Sequence, residues 1–316
     1  LKKSATTRAV IFATKHIEAT ELLMDLLENT GLITYVGKVN MDQNAPDNLR
    51  EESAAKSESD TYIWLNDVLT KYKNTKPIIT PRFIPCCSRQ LLEKLGEIRK
   101  IYDLSVQSHL SENPEEVKFV KRLFPDSKTY GGCYDMYDLF GNRPGNDYSG
   151  KTVMAHCVYS GEEEIELIKQ NGVMVSHCPL SNMNLSSGIA PIRKYIDKGI
   201  DVSLGSDIAG GQSESIFRAM TDAIQVSKMY WRIIDNNMRP LSFEESFYMA
   251  TAGGGRFFGK VGSFEKGYEF DAVILDDEKL LHPQQLAPRQ RLERFAYLNG
   301  DVTGLKAKYT AGKKIY

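Results

Sequence analysis

The chain has 316 residues, 41% of them hydrophobic, and its 40 basic and 41 acidic residues leave a net charge of −1. That length suits one large domain or two small ones with a sizeable core. The balanced charge gives no electrostatic case for nucleic acid or an anionic membrane, and no apolar run approaches the length of a transmembrane helix.

The first residues, Leu1-Lys2-Lys3-Ser4-Ala5, lack the apolar region of a secretory signal. They also lack an initiator Met, so we expect a start that is cut or processed. The five cysteines, Cys86, Cys87, Cys133, Cys157 and Cys178, are odd in number and form no C-x-x-C pair. Buried thiols in a reducing cytoplasm are the expectation, and a Cys-ligated structural zinc is not.

In chain order, the apolar run Arg8–Ala13 reads as a buried strand. A helix follows from Glu18 to Asn29, with Leu22, Leu23, Leu26 and Leu27 on its inner face and Gly31 as its stop. Thr34–Val39 is the next strand, Asn40–Asp60 a long polar loop of the kind that can serve as a lid, and Thr61–Tyr72 a helix with Ile63, Val68 and Leu69 inward. Pro77–Phe83 reads as a strand, Ser88–Ile101 as a helix carrying Leu91, Leu92, Leu95 and Ile98, and Leu104–Leu110 as a strand. Pro114 suits the first turn of a helix to Phe124. A Gly-, Asp- and Tyr-rich stretch then holds a short helix near Asp135–Phe140. After the strand Thr152–Val158, Ser160 and Glu163 pattern as a capping box for a helix to Gln170. The strand Gly172–His177, a helix Ala190–Lys198 and the strand Ile200–Ser206 follow. Ser213–Trp231 reads as a helix, and Ser242 with Glu245 caps another to Ala252. From Gly267 the pattern turns to short strands, beginning with Phe270–Leu275.

Between Arg8 and Asp207 these make seven strand–helix units. Strict alternation implies a parallel sheet with helices outside. A closed (β/α) barrel has eight units and builds its site at the C-terminal ends of the strands. The alternative, a doubly wound open sheet, normally shows a Gly-rich phosphate turn after an early strand, and none is present.

Three of the strands share a grammar. Val106–Leu110 carries His109 near its end, with Glu112 three residues on. Thr152–Cys157 carries His156, and Asp201–Asp207 ends in Asp207. Taken alone, His-x-x-Glu reads more simply as a core histidine and a helix-start acid. Three apolar strands, each ending in a ligand or acid/base type, point to one site at one end of a sheet.

The stretches Pro81-Arg82-Phe83, Gln107–Glu112, Ala155-His156-Cys157, Ser176–Asn182 and Leu204–Gly211 together resemble the metal-dependent amidohydrolase superfamily, and within it the deaminases acting on guanine. The resemblance runs over nearly the whole chain. It implies a (β/α)8 TIM-type barrel over residues 1–260 and part of a small β-sandwich over 261–316. The family's first strand carries a His-x-His that supplies two more ligands, and this sequence has none. The expectation is therefore a barrel that begins after that strand.

By the same resemblance, His109 and Asp207 are metal ligands, Glu112 is the proton shuttle, and His156 contacts the attacking water or the substrate. Arg82 and Phe83, with Glu112, His156 and Asp207, bind a purine. The implied cofactor is one Zn²⁺ per chain, with iron as an alternative. The implied assembly is a cytoplasmic homodimer with no nucleic-acid or membrane partner. Zinc lowers the pKa of water to about 7, Asp207 receives its proton, and Glu112 protonates the purine ring nitrogen. Arg82 has a fixed fork of donors for purine acceptors.

Plainer roles stand beside these. Arg82 could be a salt-bridge residue. His177 is a supporting histidine, His16 and His282 are incidental, and the tyrosines of Tyr130–Tyr148 are packing or surface. Glu162-Glu163-Glu164 is a helix start using the dipole. Two other functions stay open: deamination of another aminated heterocycle (a pterin, a triazine or an adenosine-type compound), and an inactive scaffold.

Overall fold

The structure, a computed structural model, describes residues 1–298 and 301–316. It divides into two compact units, one of residues 9–176 and 198–200, the other of residues 1–8, 177–197 and 201–316.

The first unit is built from strands in sequence order. β1 (Arg8–Phe12) neighbours β2 (Ile33–Gly37), which pairs in parallel with β4 (Thr75–Pro77). β3 (Val39–Asn40) follows β2 in the chain and pairs in parallel with β5 (Thr80–Pro81), which follows β4. Ile79 then bridges to Val106, the first residue of β6 (Val106–Leu110). β6 pairs in parallel with β7 (Thr152–His156), and β7 with β8 (Met174–His177). Parallel neighbours need a crossover, and helices supply it: α1 (Ile17–Glu28), α2 (Ala54–Val68), α3 (Arg89–Tyr102), α4 (Pro114–Leu123), α5 (Tyr130–Asp135) and α6 (Glu162–Gln170).

α3 shows why. Leu91, Leu92, Leu95 and Ile98 recur on one face and are fully buried. Each contributes about 1.5–3 kcal/mol by leaving water. Ser88 caps the helix by accepting from the Leu91 N–H at 3.1 Å, and Arg99 and Lys100 sit in its last turn. Truncating Leu95 to alanine should cost about 2–5 kcal/mol.

The second unit holds α7 (Pro179–Asn184), α8 (Ile192–Asp197), β9 (Val202–Leu204), α9 (Ile216–Met229) and α10 (Phe243–Tyr248). β10 (Ala272–Leu275) and α11 (Pro288–Tyr297) precede β11 (Leu305–Thr310) and β12 (Lys313–Lys314). β10, β11 and β12 form an antiparallel sheet. The buried Lys308 ammonium donates to the carbonyls of Leu1, Ser4 and Thr6 at 2.8–2.9 Å, tying residues 1–6 to that sheet. Arg8 adds a fork to Asp271 at 2.9 and 3.0 Å.

Several sequence expectations shift. On α1 the inward face is Thr20, Met24 and Leu27, while Leu22 and Leu26 are about 60% exposed. The leucines outnumber the methionine, but helical spacing puts Met24 at the centre of the buried stripe. α2 begins at Ala54, seven residues before Thr61, capped by Ser53 accepting from Lys56 N–H at 3.1 Å. Its solvated outer face made the first two turns read as loop, and it leaves Ile63 exposed. The capping box at Ser160 and Glu163 does not form. Gly161 is the N-cap, which moves Glu163 off the position that reaches back. The box at Ser242 and Glu245 does form. The short helix expected at 135–140 lies at Tyr130–Asp135, and α7 and α11 stand where no helix was expected.

Candidate active site

The site begins where β6 and β7 stop. In register, His109 faces Ala155 and Leu110 faces His156. This offset brings the two imidazoles together, stacked with centroids 5.4 Å apart and 16° between planes. Both strands end in left-handed backbone: φ is +48° at Ser111, +74° at His156 and +49° at Cys157. Such residues are uncommon outside glycine and persist only where surroundings over-determine them. Here the two turns hold each other. Cys157 N–H donates to Leu110 O at 2.9 Å, and Val158 and Tyr159 N–H both donate to Ser111 O, at 3.1 and 2.9 Å. The result places Glu112 Oε2 3.8 Å from His156 Nε2, with His156 buried and Glu112 half-buried.

His109 is oriented from its other side. Its Nδ1 lies 2.6 Å from the backbone carbonyl of Arg82. A carbonyl can only accept, so Nδ1 carries a proton, and in the neutral ring Nε2 is then the lone-pair nitrogen. That is the tautomer a metal-ligating histidine needs, with the outer hydrogen bond such ligands make. The donor chemistry of His109 thus fits a zinc ligand. Among the described residues, no three His, Cys, Asp or Glu side chains gather as a metal-binding group.

Aromatic groups surround His109. The Phe12 ring centroid is 4.6 Å from the imidazole, and Phe83 meets it edge-on at 6.5 Å. Phe12 and Phe83 pack against the buried cluster of Val39, Met41 and Cys86. Burial pushes the Cys86 thiol up to about 11, so it serves the wall as an apolar group. The exposed guanidinium of Arg82 lies 5.3 Å from the Phe83 ring centroid, and no carboxylate lies within salt-bridge distance of it among the described residues. Its backbone is fixed, since Arg82 N–H donates to Asn40 O at 3.0 Å.

Three residues that the sequence reading left out of the site complete this picture. Phe12 is the last residue of its strand and obeys the same strand-end grammar as the histidines. Tyr134 had no such signal. It is fully buried, its hydroxyl donates to His109 O at 2.8 Å, and it lies 2.7 Å from Ser108 Oγ. Glu164 lies in the first turn of α6, but it is buried rather than a solvated dipole partner. Desolvation raises its pKa.

In the other unit, Asp207 follows β9 and is half-buried, with φ +45°. Its carbonyl accepts from Gly211 N–H at 2.7 Å. Gly210 packs closely there: a Cβ would stand 2.8 Å from Asp207 Oδ2 and 2.6 Å from Ser181 Oγ, so those side chains would have to turn aside for any other residue. Asn184 at the end of α7 holds the turn through Gly210 O at 3.0 Å and Gln212 Oε1 at 2.6 Å. His177 is buried and its carbonyl accepts from Gly205 N–H at 2.8 Å. His16 and His282 are exposed.

Known proteins share this architecture. Guanine deaminase of Dictyostelium discoideum is 37% identical over 321 residues, covering 99% of this chain and 69% of that protein. Guanine deaminase of Homo sapiens is 36% identical, with the same shares covered. The crystal structure of guanine deaminase from C. acetobutylicum, with bound guanine in its active site, superposes with a TM-score of 0.93 at 47% identity. It covers 99% of this chain and 73% of that one. The likeness assigns a TIM-barrel-type α/β fold, consistent with parallel strands following one another in sequence order. The sequence pattern of the Amidohydrolase family matches residues 2–307. With the strand-end histidines, the acid after β6 and this match, the chain belongs to the amidohydrolase family.

Proposed function

We propose that this chain hydrolyses guanine to xanthine and ammonia. The observation that carries the reading is the joined pair of strand ends, which sets Glu112 against His156 beside the oriented ring of His109. The reaction adds water to the ring carbon bearing the amino group and expels that group as ammonia, so both protons of the water must be moved, one to the ring nitrogen and one to the departing amine.

When bound, zinc supplies Lewis-acid chemistry and brings the pKa of water from 15.7 to about 7. His109 and Asp207 are the residues of this chain assigned to hold it, one ion per chain, with zinc preferred over iron for nitrogen and carboxylate donors. Glu112 is the proton carrier, giving one proton to the ring nitrogen as the carbon becomes tetrahedral and then passing the second proton of the added water to the departing amine. Its half-burial suits a carboxyl that must both meet substrate and exchange its proton. His156 polarises the attacking oxygen, and Asp207 accepts the proton that water loses. Phe83 and Phe12 supply apolar faces for a flat heterocycle, and Arg82 presents donors to its carbonyl and ring nitrogens.

The five buried thiols suit a cytoplasmic setting, and a homodimer is the assembly we assign. No described helix is long and apolar enough to cross a membrane. We take residues 1–260 as the barrel and 261–316 as part of a β-sandwich.

A substrate panel tests the specificity. For zinc-loaded protein, kcat/KM should be highest for guanine against a pterin, an aminotriazine and adenosine. A preference for any of the others would reassign Arg82 and Phe83.

A further inference from the structure

We propose that Glu164 is a positioning residue for deamination: through Ser111 and Gly131 its carboxylate fixes the two supports that aim Glu112 and His109. This inference rests on the reading of Glu112 as the proton carrier.

Glu164 reaches from the first turn of α6 into the protein and is buried, with only 3% of its surface exposed. Its two oxygens serve different elements. Oε2 accepts from the Ser111 hydroxyl at 2.7 Å. Oε1 accepts from the Gly131 N–H at 2.7 Å. Such short bonds to a carboxylate are of the stronger, charge-assisted kind.

Ser111 stands directly before Glu112 and two residues after His109. Its φ of +48° sets the direction in which the chain delivers Glu112. A β-hydroxyl residue does not choose that conformation by itself, since the left-handed region is costly outside glycine. Three contacts hold it: the hydroxyl on Glu164, and the carbonyl on the N–H groups of Val158 and Tyr159.

Gly131 lies in the first turn of α5, three residues before Tyr134. That tyrosine's hydroxyl donates to His109 O at 2.8 Å. Gly131 cannot carry a side chain, because a Cβ would lie 2.6 Å from Phe140 Cζ. The helix start is therefore seated on Phe140 from one side and held by Glu164 from the other. One carboxylate thus reaches the turn carrying Glu112 directly and the carbonyl of His109 through α5. Glu164 itself meets no reacting atom in this scheme; its effect passes through geometry. Misplacing a catalytic group by about 1 Å can cost roughly 10²-fold in rate.

The test compares Glu164→Ala, Glu164→Gln and Ser111→Ala with Glu112→Gln in zinc-loaded protein. Glu164→Ala should lower kcat for guanine by roughly 10²-fold, with KM and zinc content nearly unchanged. Glu164→Gln should largely rescue it. The amide oxygen still accepts from Gly131, and the amide nitrogen donates to Ser111, whose hydroxyl reverses its role. The kcat–pH profile of Glu164→Ala should also move, since the Glu112 carboxyl changes surroundings; a merely structural role would leave that profile in place. Should Glu164→Ala not fold, Ser111→Ala carries the same expectation on kcat, because it keeps Glu164 and its bond to Gly131. The inference is overturned if folded, zinc-loaded Glu164→Ala or Ser111→Ala turns over guanine at the unsubstituted rate with an unmoved profile. If Glu112→Gln is fully active, the role of Glu112 fails and the inference goes with it. If Glu112→Gln is inactive while both other positions are silent, only the positioning claim fails.

Discussion

The backbone carbonyl of Arg82 accepts the Nδ1–H of His109 at 2.6 Å, so one residue faces two tasks. Its main chain fixes the tautomer of a metal-ligand candidate. Its side chain stands exposed over Phe83, where a flat substrate would lie.

The two tasks separate by mutation. Arg82→Ala keeps the carbonyl and should leave zinc content unchanged. It should raise the KM for guanine, because a lost hydrogen bond to a charged group costs about 1.5–3 kcal/mol. Zinc analysis beside steady-state kinetics checks this. Loss of zinc with an unaltered KM would assign the guanidinium to the metal site instead.

Glu112→Gln keeps size and shape but cannot carry a proton. Turnover should fall by roughly two to four orders of magnitude while zinc stays bound. A variant with near-normal turnover takes Glu112 out of the chemistry.

Lys38 and Glu51 form a buried ion pair, with side chains 0% and 3% exposed. Glu51 Oε2 also accepts from the Met41 N–H at 2.9 Å, fixing a residue of the cluster that Phe83 packs against. Glu51→Ala leaves a buried ammonium unpaired and should cost about 3–5 kcal/mol. Replacing both partners, Lys38→Met with Glu51→Leu, should recover much of that loss. Urea unfolding of the three proteins decides it, and equal midpoints would mean that the pair is hydrated.

Glu116 gives a pH signature. Burial, then the neighbouring charge of Glu112, raises its carboxyl to about 7, against a lowering contact from Tyr130. Its folded pKa lies above the unfolded value of about 4.3. The folded state therefore binds more protons across that window, and stability falls as pH rises from about 4.3 to 7. Glu116→Gln removes the term. It should be more stable than the parent at pH 8, by on the order of 3–4 kcal/mol, with most of the gain lost by pH 5. A difference between variant and parent that does not depend on pH would contradict the shift.

Much of this was legible in the sequence, and the rest was hidden for physical reasons. The strand at Arg8–Phe12 was readable from its apolar run Ala9-Val10-Ile11-Phe12, although the structure leaves all five of its residues half-buried rather than buried as expected; at Val106–Leu110 the signal was Val106 and Leu110 bracketing three polar residues. The strand-end residues His109 and His156 followed from that reading, and the structure brings their rings together. Tyr134 and Glu164 were not readable. Their partners, His109 O and Ser111 Oγ, lie 25 and 53 residues away in sequence, and nothing local marks either residue as buried. The first turns of α2 were missed because a solvated helix face has the composition of a loop. On α1, leucine count misled where phase decided, leaving Leu22 and Leu26 in solvent.

The most direct test follows guanine in ¹⁸O-labelled water with zinc-loaded protein. Hydrolytic deamination predicts one ammonia released for each guanine lost, and xanthine carrying one oxygen from solvent. Folded, zinc-loaded protein that leaves guanine intact, or that yields xanthine without solvent oxygen, would contradict it.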